Sequence, residues 1–325
     1  MNRRQLLTTA AIAALFPALD PRSVFAQDAA SGFVHVFYGG NGTVAVDSGL
    51  HRVGTIFGVS QNGDLRWYRY SGNGESDRSG ALGWAPNSGN RVGNGWANFL
   101  HVMGCGDGVV MAIQPSGELL WYQYDGNGED DVSGASGWHA NSGNPIGRGW
   151  QNFQHVFATP QQGPVSSARL TVWAVAQNGD LLWYSYSGNG ESDITGAAGW
   201  HPNSGNAVGN GWSSFHRIAG IGSDIMGVHD SGDLLWYSYS GDGESDVTGS
   251  LGWNANSGNV IGNGWLGMRH VFGGSSDSGG FHQVVYGVNQ NGDLHWYAYD
   301  GHGEADQTGA LGWRVNSGNV IGNGW

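Results

Sequence analysis

The chain has 325 residues, with 26 acidic side chains against 13 basic ones and a formal net charge of −13. That balance leaves no electrostatic footprint for nucleic acid or anionic lipid, and the complete lack of lysine excludes a Schiff-base nucleophile. Sixty glycines beside 16 tryptophans exclude a disordered chain and point to short aromatic strands joined by glycine turns, the composition of an all-β repeat protein.

The first segment, "MNRRQLLTTAAIAALFPAL", has a charged start at Arg3 and Arg4, then an apolar run, then "SVFAQ" with small-residue cleavage spacing after Ala26. It reads as a signal peptide over residues 1–26, too short and too interrupted by Pro17 to span a membrane. Arg3 and Arg4 followed by Gln5, Leu6 and Leu7 resemble the twin-arginine export signal of bacterial proteins carried out already folded, with a general secretory signal as the plainer alternative. The expected mature chain is residues 27–325, a single domain exported to the periplasm or beyond, with no second hydrophobic segment for membrane insertion. Cys105 is the only cysteine, so no internal disulfide forms, and a small buried hydrophobe is its expected role.

The mature segment repeats itself. A Trp-Tyr pair begins each unit, at Trp67, Trp121, Trp183, Trp236 and Trp296. Seventeen residues later stands a second tryptophan (Trp84, Trp138, Trp200, Trp253, Trp313), and twelve further on a third (Trp96, Trp150, Trp212, Trp265, Trp325). In chain order a unit offers an apolar run, an Asn-Gly or Ser-Gly turn and an alternating run, as in "IFGVSQNGDLRWYRY", which predicts a hairpin. An acidic loop ("SGNGESD") and a polar loop that contains an outer strand ("GWAPNSGN") follow, then a further short strand such as "NFLHVM". Four strands per unit in five units read as a closed five-bladed β-propeller. The last unit ends at "NVIGNGW" without its following strand, and a matching strand stands in "GFVHVFYGG", so the N-terminal strand is expected to join the C-terminal blade and close the ring. Long loops in "YGGNGTVAVDSGLHRVG", "ATPQQGPVSSAR" and "GGSSDSGGFHQ" are expected to share one face.

The segment "GNGW-x-x-F-x-HVF", with a "G-x-L-x-WY" hairpin in each repeat, resembles the tachylectin-type five-bladed β-propeller lectins over nearly the whole mature chain. The resemblance implies binding of N-acetylated hexosamines such as N-acetylglucosamine or N-acetylgalactosamine, with one site per blade near the outer strands. Three departures stand out: the turn has one glycine fewer before its tryptophan, "ALGW" stands where an acidic residue is expected, and His35, His101, His155 and His270 replace an aromatic.

Saccharides are held by an aromatic face against the apolar side of the ring and by short polar groups on its hydroxyls, and asparagine offers both donor and acceptor. The fixed loop supplies both types. The candidate carbohydrate-binding residues are Trp84, Asn87 and Asn90; Trp138, Asn141 and Asn144; Trp200, Asn203 and Asn206; Trp253, Asn256 and Asn259; and Trp313, Asn316 and Asn319. The plainer reading of each is ordinary turn chemistry for the asparagines and interblade packing for the tryptophans. Trp67 and its equivalents read as core, as do Trp96 and its equivalents.

Glu75 with Asp77, repeated at Glu129 and Asp131, Glu191 and Asp193, Glu244 and Asp246, and Glu304 and Asp306, raises calcium. No loop satisfies the EF-hand spacing, so a solvated turn is expected there, and no cofactor or metal. Glycoside hydrolysis needs one asymmetric pair of carboxylates across one bond, not five equal copies, so no enzyme is expected. The "HVF" histidines, with Arg217 in their place in the fourth unit, are expected to line the central channel rather than hold a metal. The expected function is therefore a multivalent lectin whose partners are glycans or glycoconjugates, the alternative being an exported interaction scaffold without sugar binding. Exposed loop tryptophans favour the lectin, and burial between blades favours the scaffold.

Overall fold

The computed structural model describes residues 32–46, 49–131, 133–159, 169–275 and 283–325, without the side chains of residues 41–53. The expected signal peptide and the centres of the second and third long loops lie outside these residues. The described chain is five sheets of four antiparallel strands. Blade 1 holds β1 (Phe33–Val46), β2 (Gly49–Ser60), β3 (Leu65–Tyr70) and β4 (Arg91–Gly93). Blade 2 holds β5 (His101–Gly106), β6 (Val109–Ile113), β7 (Leu119–Gln123) and β8 (Asn144–Gly147). Blade 3 holds β9 (His155–Thr159), β10 (Leu170–Val175), β11 (Leu181–Tyr186) and β12 (Asn206–Gly209). Blade 4 holds β13 (Phe215–Ile221), β14 (Asp224–His229), β15 (Leu234–Ser238) and β16 (Asn259–Gly262). Blade 5 holds β17 (Met268–Ser275), β18 (Gln283–Asn289), β19 (Leu294–Tyr299) and β20 (Asn319–Gly322).

Each blade is a simple meander. The second and third strands are joined by the expected turn, whose glycine takes positive φ, 89° at Gly63, a conformation open to glycine without steric cost. The turn carbonyl then accepts the amide of the blade's third tryptophan, as in Trp96 N to Gly63 O at 3.0 Å. That bond pins the outer turn back onto its own hairpin. In blade 1 the first long loop is no loop at its base: β1 and β2 stay paired as far as Val46 and Gly49.

The N-terminal strand does not join the C-terminal blade. Strand β1 pairs with β2, and the C-terminal sheet is complete in β17 to β20. The repeat frame set on the Trp-Tyr pair cut every blade between its outer strand and the next blade's inner one, which left an apparent gap at the end of the chain. A strand that can fold back on the run directly after it closes a short hairpin, at lower loop entropy than a pairing across the whole sequence. Closure is carried instead by the same contacts that join every other pair of blades.

Those contacts form three tiers. At the axis, the inner strands touch in a ring, β1 to β5, β5 to β9, β9 to β13, β13 to β17 and β17 to β1. Their spacing is set by Gly104, where any Cβ would overlap the Tyr38 carbonyl. Here His35 Nε2 lies 3.1 Å from Phe99 O and His270 Nε2 lies 3.1 Å from Phe33 O. His101 and His155 bond the Phe153 and Phe215 backbones, and Arg217 Nε donates to Arg269 O. In the middle, the hydrophobic cores lie between blades rather than within them: Trp67, Val92 and Trp96 of blade 1 pack with Val110, Ala112 and Tyr124 of blade 2. At the rim, Gly128 of blade 2 sits flat on the Trp67 ring of blade 1, with φ of 71° and no room for a Cβ. The blade 5 to blade 1 junction repeats the set, with Gly74 on Trp296 and one core spanning Tyr38, Tyr70, Trp296 and Trp325.

The rim also consumes the polar loop. Trp138 Nε1 donates to Val92 O of the preceding blade at 2.8 Å, and Trp84 Nε1 closes the ring by donating to Ile321 O at 2.9 Å. Trp200, Trp253 and Trp313 donate likewise to Ile146, Val208 and Ile261. In the other direction, Asn87 and Asn90 donate to the Asn127 and Gly128 carbonyls of the following blade. Asn141 and Asn144, Asn203 and Asn206, Asn256 and Asn259, and Asn316 and Asn319 repeat both bonds.

Two outcomes are expected from this frame. Asn259→Ala should lower the stability of the ring by about 1 kcal/mol, the usual net worth of such a bond. Asn259→Asp, which sets a carboxylate against the Gly303 carbonyl, should cost more, read as a larger fall in Tm; equal Tm for both variants and the wild type would remove the fastening role. The second concerns pH. Burial is the first cause that lowers the pKa of His35, His101, His155 and His270, the last to about 4. The unfolded chain therefore takes up these protons first, so stability is full above about pH 6.5 and is lost as pH falls toward about 4. Thermal unfolding followed by circular dichroism should show Tm declining across that window, and less steeply in His270→Gln.

Candidate functional site

Successive side chains of a strand point to opposite faces, so the Trp-Tyr pair divides its work. Trp236 goes into the core between blades 4 and 5, while Tyr237 turns to the groove between blades 3 and 4. There it meets Trp212, the third tryptophan of blade 3, at 4.6 Å between ring centroids, and Trp253, the second tryptophan of blade 4, at 5.9 Å. The same triad recurs at each junction: Trp96, Tyr122 and Trp138; Trp150, Tyr184 and Trp200; Trp265, Tyr297 and Trp313; and, across the closure, Trp325, Tyr68 and Trp84.

Between blades 3 and 4 this aromatic floor opens into a cavity of about 370 Å³, walled by Asn210 of blade 3 and by Thr248, Ser250, Asn254 and Ser257 of blade 4. The wall is held in shape from below. Asp246 Oδ1 accepts the Thr248 amide at 2.9 Å, and Oδ2 accepts the Ser250 and Leu251 amides at 2.8 and 2.9 Å. The Asp246 amide donates to Ala207 O of blade 3, and Asn210 Nδ2 donates to Val247 O at 2.6 Å. Hydrogen bonds from the Thr248 hydroxyl and the Leu251 amide hold the Asp246 carboxyl well below the usual carboxylate range. Asp77, Asp131, Asp193 and Asp306 cap their loops in the same way.

This accounts for the acidic loop as turn chemistry. Its aspartates are saturated by backbone donors, and Glu75, Glu129, Glu244 and Glu304 each accept the amide two residues earlier. Among the described residues, no three His, Cys, Asp or Glu side chains gather where they could share an ion. The channel, of about 110 Å³, is lined by Val36, Val102, Val156, Ile218 and Val271 with the residues after them. The histidines one position earlier are not in that lining and turn to the neighbouring backbone. Cys105 is fully buried, and burial pushes its thiol up to about 12.

The fifteen candidate residues separate into two sets. Trp84, Trp138, Trp200, Trp253 and Trp313 are half-buried, with an indole N–H spent on the preceding blade and a ring that walls a groove. The ten asparagines reach the opposite way, and their amide donors fasten the following blade. One loop therefore serves two junctions, and each groove is assembled from two repeats. The tyrosine of the Trp-Tyr pair was not among the sequence candidates. Burial pushes the phenols of Tyr122, Tyr184, Tyr237 and Tyr297 up to about 12, so they stay neutral hydrogen-bonding groups at the groove. Strict alternation in "LLWYSY" carried that signal, since a buried Trp places its neighbour on the other face.

No curated protein matches the chain. Among solved structures it is similar to a mutant of the Aleuria aurantia lectin in complex with Fucα1-6GlcNAc, at 13% identity over 91% of this chain and 100% of that one, with a TM-score of 0.41. It is also similar to the SapL1 lectin in complex with α-methyl fucoside, at 13% identity, 86% and 96% coverage and a TM-score of 0.39. Prp20p from Saccharomyces cerevisiae is similar at 11% identity, 83% and 61% coverage and a TM-score of 0.36. The Tachylectin family profile matches residues 39–217, more than half of the chain, and holds two of the interblade triads whole, Trp96, Tyr122 and Trp138 and Trp150, Tyr184 and Trp200. With five four-stranded blades and a tryptophan-walled groove at every junction, the chain belongs to the tachylectin family.

Proposed function

We propose that the protein is a multivalent lectin whose sites are the grooves between blades, one to each junction, and that its ligands are N-acetylated hexosamines on glycans or glycoconjugates. The observation that carries this reading is the groove between blades 3 and 4. It sets an aromatic floor of Trp212, Tyr237 and Trp253 under the Thr248, Ser250 and Ser257 hydroxyls and the Asn210 and Asn254 amides. Its volume of about 370 Å³ falls at the small end of ligand pockets, which suits one or two pyranose rings. The choice of N-acetylated sugars rests on the family resemblance. Export through the N-terminal segment would bring the ring to such surfaces.

A single shallow site binds weakly, on the order of millimolar, and several on one body raise avidity by roughly 10² to 10⁴. That is the use five copies have when none is catalytic. The scaffold reading draws on a different observation, the commitment of all five loop indole N–H groups to neighbouring blades.

Isothermal titration with N-acetylglucosamine, N-acetylgalactosamine and L-fucose tests the reading. Heat with one of the hexosamines at a stoichiometry near five is expected. Ser250→Arg should block one groove and lower the stoichiometry by one without loss of Tm, because other blades carry a different residue there, alanine in each case. No heat with any of the three sugars would return the grooves to pure blade packing.

A further inference from the structure

The five blades are not equal on the outer side of β3-type strands. Blade 3 has a second cavity of about 170 Å³, lined by Arg169, Ser185, Ser187, Trp200, His201 and Pro202, of which Trp200 also walls the groove between blades 2 and 3. Ser185 is 1% exposed, and its hydroxyl has no hydrogen-bond partner although it lies in the cavity wall. A buried hydroxyl left without a partner is costly, and in the wall of a cavity it is a polar group that a ligand would satisfy. At the mouth stands Arg169, exposed and making no hydrogen bond or ion pair among the described residues. His201 accepts the Asn203 amide at Nδ1, which leaves Nε2 uncommitted, and Ser187 donates to Gly199 O while keeping its lone pairs.

The other blades fill or neutralise this place. In blade 1, Arg69 occupies the ladder position of Ser185, lies 4.7 Å over the Trp67 ring and bonds Asn127 Oδ1. In blade 2, Gln123 stands there and donates to Asp125. In blade 5, Arg314 at the position of His201 is paired at 2.6 Å with Asp300 at the position of Ser187. Blade 4 has serines at both strand positions, Ser238 and Ser240, but Gly222 where blade 3 has Arg169. Only blade 3, among the described residues, joins an open pocket, an orphaned buried hydroxyl and an uncompensated cation.

We propose that this pocket is a separate binding site for an acidic saccharide, one that carries a carboxylate on a pyranose ring, as a uronic acid does. The planar guanidinium of Arg169 matches a carboxylate with two parallel hydrogen bonds. Trp200 and Pro202 give the ring an apolar wall, and Ser185, Ser187 and His201 reach its hydroxyls. In a chain of net charge −13, a generic attraction for anions does not explain such binding; a built contact does. The site does not depend on the grooves being occupied, and it would make blade 3 the one blade with two different ligands.

The test is titration of the purified protein with glucuronic acid, glucose and inorganic sulfate, in wild type, Arg169→Gln and Ser185→Arg. Glucuronic acid should bind at one per chain and glucose at least tenfold more weakly. Arg169→Gln should weaken glucuronic acid tenfold or more. Ser185→Arg, which copies the residue that blade 1 already folds with, should abolish binding with Tm unchanged. Unaltered glucuronic acid binding in both variants, or none in wild type, overturns the proposal. Inorganic sulfate binding as tightly as the uronic acid would overturn its saccharide part. Binding of whichever of N-acetylglucosamine, N-acetylgalactosamine and L-fucose the wild type takes separates the two readings: it should be unaffected in the same variants, and absence of binding of all three in wild type would sink the groove reading while leaving this one standing.

Discussion

The ring depends on the fact that no blade can bury its own faces. A four-stranded sheet of this size has apolar side chains on both sides, and the five cores all lie at junctions, each shared by two blades. The contact that sets the junction is the seat of a loop glycine on the ring of a buried tryptophan, as Gly190 on Trp121 or Gly303 on Trp236. Any side chain at that glycine would push the blades apart. With the seat made, the asparagine amides fall within reach of the carbonyls on either side of it, and the indole N–H reaches the outer strand from the opposite direction. Packing fixes the distance, and the hydrogen bonds fix the register.

That division of labour explains why polar loops of such ordinary composition wall a groove. The aspartate at the end of each acidic loop, Asp246 in blade 4, spends its whole carboxylate on turning the chain. The cost of ordering the loop is met before any ligand arrives, and a preorganised wall loses less freedom on binding. What remains toward the groove is what the frame did not consume: the lone pairs of the Thr248 and Ser250 hydroxyls, whose protons go to Asp246, the Asn254 Nδ2 group, the phenol of Tyr237 and the aromatic floor of Trp212, Tyr237 and Trp253.

Much of the architecture was legible in the sequence, because a spacing of 17 and 12 between tryptophans held in five units leaves one geometry for the segment they enclose. Blade number, strand number, the hairpin turn and the buried Trp67 set followed from period and alternation. The ring closure did not follow, because a repeat has no natural first residue: framed on Trp-Tyr, the strand at Phe33 belongs with the end of the chain, and framed on the inner strand, it belongs with Gly58 and Ile56, which it pairs. The site was half legible for a related reason. Trp253 and Asn256 are three residues apart in one loop, yet they face different junctions, and proximity in sequence cannot tell which neighbour a side chain will meet. The partners that complete the groove, Trp212 and Tyr237, come from another blade and from the far face of a strand.

Repetition in the frame leaves freedom at the positions it does not use. The residue before the glycine that precedes the loop tryptophan is Leu82, Leu251 or Leu311 in three blades, each more than half exposed, but Ser136 or Ala198 in the other two. The residue after that tryptophan is Ala85, His139, His201, Asn254 or Arg314. The exposed leucines are not called on by the junction, whereas Ala85 packs on the core between blades 1 and 2 and His139 and His201 stand edge-on to Trp121 and Trp183, so these positions vary in chemistry while the ring stays closed. Under the proposed lectin reading, a rigid ring would turn that variation into recognition of a pattern. Its grooves are held at fixed spacing with no linker to order, so what such a lectin would discriminate best is the arrangement of several weakly held groups on one surface rather than the identity of any one of them.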